Sequence, residues 1–111
     1  MTAPIRYQSC PACAAVWALP RGLCPRCGAA PVWREASGRG AVFSVTTLHR
    51  APARDFHSPV PYRLGLIDLA EGVRVMGRIT DDAGIGARVT GAMAAFGPAD
   101  IPTFTTEEVR P

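Results

Sequence analysis

The chain has 111 residues, 48 % of them hydrophobic and 19 % charged, with a formal charge of +3. That length buries one modest core. The apolar runs are only a few residues long, which excludes a membrane-spanning helix. The charge is too small to argue for a nucleic-acid partner. Met1 to Ser9 contains no apolar stretch resembling a secretory signal, so the expected compartment is the reducing cytoplasm.

All four cysteines fall in two CxxC pairs, Cys10-Pro11-Ala12-Cys13 and Cys24-Pro25-Arg26-Cys27. A two-residue gap lets one tight turn aim two sulfurs at one ion, and Pro at the second position presets φ. The reading is a structural Zn2+ held by Cys10, Cys13, Cys24 and Cys27. Gly28 follows the second pair, where a left-handed residue is commonly needed. Ala14 holds the equivalent place after the first, so that turn either avoids positive φ or accepts about 1–2 kcal/mol of strain. Iron in a rubredoxin-like site uses the same four sulfurs, and spacing does not separate the two metals. A disulfide framework lacks the secretory context, and a thioredoxin-type pair lacks its βαβ unit.

Between the pairs, Ala14 to Leu19 reads as a strand and Pro20-Arg21-Gly22 as the turn that returns the second pair, giving a zinc ribbon. Trp17 and Trp33 are placed to pack over so small a module. A segment of about 30 residues is too short to hold itself together without metal. Ser37-Gly38-Arg39-Gly40 is a glycine-rich break, so the expected organisation is a ribbon over 1–36 and a second domain over 37–111.

The second domain reads as β-rich. Ala41 to His49 is loaded with β-branched residues and predicts a long, curving first strand. Tyr62 to Leu69 and Val73 to Ile79 flank Ala70-Glu71-Gly72, which suits a three-residue hairpin loop with Gly in the left-handed position. Ala87 to Ala95 is alanine-rich, but Gly86 and Gly91 favour a strand over a helix. A short strand around Pro102-Thr103-Phe104 completes five. The fold class is therefore mostly β, a rubredoxin-like zinc ribbon followed by a small five-stranded OB-fold barrel.

The hairpin register puts Ile67, Leu69, Val73, Val75 and Ile79 on one face and Leu64, Leu66 and Met76 on the other. One face lines the barrel, and the other needs cover from the ribbon or from another chain. A single-stranded nucleic-acid surface would need aromatics and cations on that outer face. Tyr62, Arg74 and Arg78 are the residues that qualify, and Arg74 lies opposite Asp68. The Arg50–Val60 loop carries Arg50, Arg54, Phe56 and His57, a cationic and partly apolar set in a position OB-folds use for ligands. Arg50 and Arg54 are the expected contacts of that loop for an anionic group. Catalysis finds no foothold: a closed four-cysteine site has no open position, and there is no GxSxG, HExxH or Walker loop. His49, Asp55, His57 and Ser58 cluster only as neighbours in one loop. The expected catalytic set is empty.

The order Cys-Pro-x-Cys, ten residues, Cys-Pro-x-Cys-Gly, then Ser37-Gly38-Arg39-Gly40-x-Val42-Phe43-Ser44, His49-Arg50-Ala51-Pro52, Pro61-Tyr62, Glu71-Gly72-Val73-Arg74 and Pro102-x-Phe104 resembles the DUF35 family. The resemblance covers nearly the whole chain. It implies a zinc ribbon plus OB-fold, and a non-catalytic accessory subunit pairing with a thiolase-superfamily or lipid-transfer-protein-like acyl-CoA enzyme; if a CoA thioester passes between the two, Arg50 and Arg54 are the expected contacts for its phosphates. It also implies an amphipathic helix ahead of the ribbon, and Met1 to Ser9, with Pro4 among them, does not read as one. A single-stranded nucleic-acid-binding protein is the competing expectation.

Overall fold

A computed structural model describes residues 3–49, 61–96 and 99–107. Eight strands build two sheets: β1 (Arg6–Ser9), β2 (Val16–Trp17), β3 (Val32–Glu35), β4 (Arg39–Leu48), β5 (Tyr62–Leu69), β6 (Arg74–Ile79), β7 (Arg88–Phe96) and β8 (Ala99–Thr106). Among the described residues there is no helix. The first sheet has the order β2-β1-β3, and the second is a closed barrel, β4-β5-β6-β8-β7.

The ribbon differs from its expectation in its strands and in one tryptophan. A strand over Ala14–Leu19 is reduced to Val16–Trp17, and the sheet forms around β1, the segment just before the first cysteine. Ile5 and Tyr7 alternate with exposed Arg6, and this apolar pair docks β1 on the barrel. The Gln8 side chain then anchors the hairpin. Its Oε1 accepts from Trp17 Nε1 and from the Arg21 amide, both at 2.7 Å, and its Nε2 donates to the Arg21 carbonyl at 3.1 Å. Trp33 does not pack as expected: it is 48 % exposed, with the Arg6 guanidinium 5.6 Å from its ring centre.

The barrel follows its sequence pattern closely. Val42↔Ile67, Ile67↔Val75 and Asp68↔Arg74 are paired across strands. Alternation buries Ile67, Leu69, Val73, Val75 and Ile79 inside. Gly72 closes the β5–β6 turn at φ 91°, donating to the Leu69 carbonyl at 2.9 Å. A bulge between Val42 and Ser44 bends β4 and turns Phe43 outward. Ala87 to Ala95 forms a strand, as its glycines suggested, and the reason is visible at Gly91. A Cβ there would lie 2.6 Å from the Phe104 ring and one at Gly77 would lie 2.7 Å from it, so the ring fills the barrel between two glycines. The Ser37-Gly38-Arg39-Gly40 motif is a docking device. Gly38, at φ 87°, lets β4 approach the Gly91 carbonyl, and the Glu71 carboxylate accepts from the Ser37 amide at 2.9 Å.

Ile5, Tyr7 and Ala36 belong to the same buried cluster as Val42, Ile67, Val75, Val89 and Phe104, with Val16 and Ala18 packed against it. The two sheets thus share one core. The parallel β6–β8 seam that closes the barrel has two registered pairs, Arg78↔Thr103 and Ile79↔Phe104. Asp81 reinforces it: Oδ2 accepts from the Thr106 amide (2.7 Å) and the Thr105 hydroxyl (3.0 Å), and Oδ1 from the Ala83 amide (3.1 Å).

Two predictions follow from this packing. Gly91→Ala forces a methyl into the Phe104 ring and should cost about 2 kcal/mol, read by chemical denaturation. The Thr106 hydrogen bonds, then those from Ala83 and Thr105, hold the Asp81 carboxyl down at about 2 against the opposing effect of burial. An unfolded Asp titrates near 3.9, so this stabilisation is complete above about pH 4 and disappears as pH falls through about 2. Asp81→Asn should flatten the acid limb of the stability curve, and an unchanged limb would show that the seam does not depend on this carboxylate.

Candidate metal centre and partner surface

The two cysteine turns are near copies of each other. Cys10 N donates to Ala15 O and Cys24 N to Ala29 O, both at 2.8 Å. Ala14 N donates to Cys10 O at 2.9 Å and Gly28 N to Cys24 O at 3.0 Å. The last residue of each turn is left-handed, Gly28 at φ 81° and Ala14 at φ 65°. Ala14 therefore accepts the strain that its sequence position raised.

The four Sγ atoms lie within 4.8 Å of one another, with Cys10···Cys27 at 3.4 Å and Cys13···Cys24 at 3.7 Å. A tetrahedron with metal–sulfur bonds of about 2.3 Å has edges of about 3.8 Å, so the donor set fits a four-coordinate ion such as Zn2+. Electrostatics agree. At Cys24 burial opposes the thiolate, but the amides of Cys27 and Arg26, 3.4 and 3.3 Å from its sulfur, overcome it and bring the group down to about 6. Cys10 is also lowered, chiefly by the Cys13 amide. At Cys27 the Ala29 amide favours the thiolate, yet the Cys10 sulfur, burial and the sulfurs of Cys13 and Cys24 together push it up to about 12. Four thiolates in this space need a cation among them.

The sequence-derived surface residues divide into three groups. Leu64, Leu66 and Met76 lie together on the outer face of β5 and β6, where with Val45 and Thr46 they line a shallow depression of about 330 Å³. Met76 is 62 % exposed. It also borders a larger cleft of about 650 Å³ between ribbon and barrel, lined by Ile5, Ala18, Leu19, Met93 and Pro102. Sequence reading missed this cleft, because it exists only once β1 is docked. Tyr62 corrects its expectation as an exposed contact. It is 5 % exposed, with its ring set edge-on at 4.9 Å to Phe96, which folds over the end of the face. Arg50, Arg54, Phe56 and His57 fall outside the described residues, as do Asp55 and Ser58 of the acid–base group, while His49 is exposed.

The cations of the outer face are engaged. Arg74 donates to both Asp68 oxygens, at 2.6 and 3.2 Å, and its guanidinium lies 3.6 Å over the Phe43 ring. Arg78 stacks 4.6 Å over Phe96.

The metal centre generates two predictions. Elemental analysis should find one zinc per chain, and removing it with a strong chelator should lower Tm by more than about 10 °C, since ribbon and barrel share a core. Ala14→Gly should raise stability by about 0.5–1 kcal/mol, relief of left-handed strain exceeding the entropy added to the unfolded chain, while Gly28→Ala lowers it by about 1 kcal/mol.

Comparisons with known proteins agree with this architecture. Residues 33–94, more than half of the chain, match the family model described as the ChsH2 C-terminal OB-fold domain. A DUF35 domain-containing scaffold protein of Methanocaldococcus jannaschii is 36 % identical over 74 residues, which are 65 % of this chain and 52 % of that protein. The chain thus spans about half the length of that curated relative. The solved structure of an Ltp2-ChsH2(DUF35) aldolase superposes with a TM-score of 0.77 at 29 % identity, over 93 % of this chain and 84 % of the other. A DUF35 protein of unknown function from Sulfolobus solfataricus shares the fold at TM-score 0.62 and 15 % identity, over 94 % and 76 % of the two chains. With its paired cysteine turns, closed barrel and glycine-docked first barrel strand, the chain belongs to the DUF35 family.

Proposed function

We propose that this protein is a non-catalytic accessory subunit that binds and completes or stabilises a lipid-transfer-protein-like or thiolase-like acyl-CoA enzyme, with a structural zinc in its ribbon. The observation carrying this reading is the likeness, along almost the whole chain, to the DUF35 component named in the Ltp2-ChsH2(DUF35) aldolase. The scaffold role named for the archaeal relative points the same way. The residue chemistry supports it independently. A site of four mutually close cysteines leaves no coordination position for substrate. Leu64, Leu66 and Met76 form an apolar strip on a face that already has its own barrel core behind it, a composition suited to a protein partner.

In this reading residues 1–36 are the ribbon and 37–111 the OB-fold domain, and the protein works in the reducing cytoplasm, where its thiolates stay metal-bound. Arg50, Arg54, Phe56 and His57 are kept as contacts for a CoA thioester held between the subunits. The nucleic-acid alternative loses its residues: Tyr62 is buried, Arg74 is paired with Asp68 and Arg78 lies on Phe96. No helix among the described residues is long and apolar enough to cross a membrane.

The test is co-expression with the lipid-transfer-type or thiolase-like enzyme of the same genome. Elution as one complex at near-equal stoichiometry is expected, and elution of the chain alone would contradict the proposal. Met76→Asp should weaken the complex at least tenfold, about 1.4 kcal/mol. Its Tm should stay near wild type, because the side chain lies outside the barrel.

A further inference from the structure

The four sulfurs are not equivalent. Cys10 and Cys24 are buried, Cys13 is intermediate and Cys27 is exposed. Cys27 is thus the residue of the centre most open to a solvent-borne reagent. The sulfur recorded in contact with it is Cys10 in the other turn, at 3.4 Å, while Cys13 and Cys24 face each other at 3.7 Å. The short contacts run between the turns, although each CxxC pair is adjacent in sequence.

We propose that Cys27 is a peroxide-oxidation site of the metal centre and that Cys10, across the centre, is its resolving partner. This rests on the metal-centre reading of the same four residues. The Cys27 thiolate attacks hydrogen peroxide, the O–O bond breaks, and the sulfur becomes a sulfenic acid as hydroxide leaves. The Cys10 thiolate then attacks the Cys27 sulfur, an S–S bond forms and a second hydroxide leaves. Peroxide gains two electrons, the two sulfurs lose one each, and both hydroxides take protons from solvent to become water. Cys10 and Cys27 would then no longer be available to hold a bound dication, which would be released. The new bond joins the two turns that the metal had joined, so the ribbon exchanges one cross-link for another, and a thiol reductant restores the starting thiolates.

Sequence makes the pairing readable. Trypsin cuts after Arg6, Arg21, Arg26 and Arg34, leaving Cys10 and Cys13 on peptide 7–21, Cys24 on 22–26 and Cys27 on 27–34. The full-length protein is first assayed for zinc, then titrated with hydrogen peroxide while a chromophoric chelator reports release, and digested after alkylation. The expected first product links 7–21 to 27–34, with fragment ions placing the bond at Cys10. It should grow in step with zinc release and be reversed by dithiothreitol. A link between 22–26 and 27–34, a bond at Cys13, or zinc loss with no cross-link would overturn the proposal. Brief N-ethylmaleimide treatment of the zinc-loaded protein should label 27–34 ahead of the other two peptides, and uniform labelling would count against Cys27 as the entry point. A preparation that never binds zinc would refute the metal reading, and the peptide map would still decide the pairing.

Discussion

Convergence of four sulfurs within 4.8 Å is the constraint on which the rest of the architecture hangs. The ribbon strands are two to four residues long, far too short to stand alone. Two nearly superposable turns impose the geometry, and the repeat is strict enough to hold Ala14 at a positive φ that Gly28 adopts without strain. Structural zinc in such sites contributes on the order of 10–16 kcal/mol, which outweighs the cost of one left-handed alanine roughly tenfold. Once the turns are fixed, β1 is fixed too, and Ile5 and Tyr7 carry the ribbon onto the barrel core.

The barrel is organised by the same economy of space. Phe104 occupies the volume that side chains at Gly77 and Gly91 would otherwise claim, so β6 and β7 close on one ring of the shared core. With Phe104 and its apolar neighbours packed inside, the apolar residues left outside become the feature that calls for explanation. Met76 borders both the depression over β5 and the cleft beneath the ribbon, whose apolar lining is interrupted by Arg6, Arg74 and Asp100. The ribbon thereby shapes a surface as well as stabilising a fold.

Much of this was legible in the amino-acid order. The cysteine spacing gave the cluster, period-two alternation gave the β5–β6 register down to Asp68↔Arg74, and Gly72 gave the turn. The closing strand was foreseen only around Pro102–Phe104, yet it runs from Ala99 to Thr106, because pairing with β7 extends it beyond its own β propensity. The central position of β1 was missed although Ile5 and Tyr7 carry a short alternation, since four residues give too little periodicity to stand out. The burial of Tyr62 depends on Phe96, and the ribbon–barrel cleft on bringing Leu19 and Met76 to line one space, in both cases from distant segments. No local pattern encodes those.

The central claim is that this chain contributes a binding surface and not a reacting group. Reconstituted turnover tests it most directly, with the chain alone, the lipid-transfer-type enzyme alone, and the two mixed at equal concentration on the same acyl-CoA substrate. The account predicts no turnover by the chain alone, a depressed rate for the enzyme alone, and a rate that rises and saturates near one chain per enzyme subunit. Turnover by the isolated chain, or an enzyme rate indifferent to its presence, would contradict it.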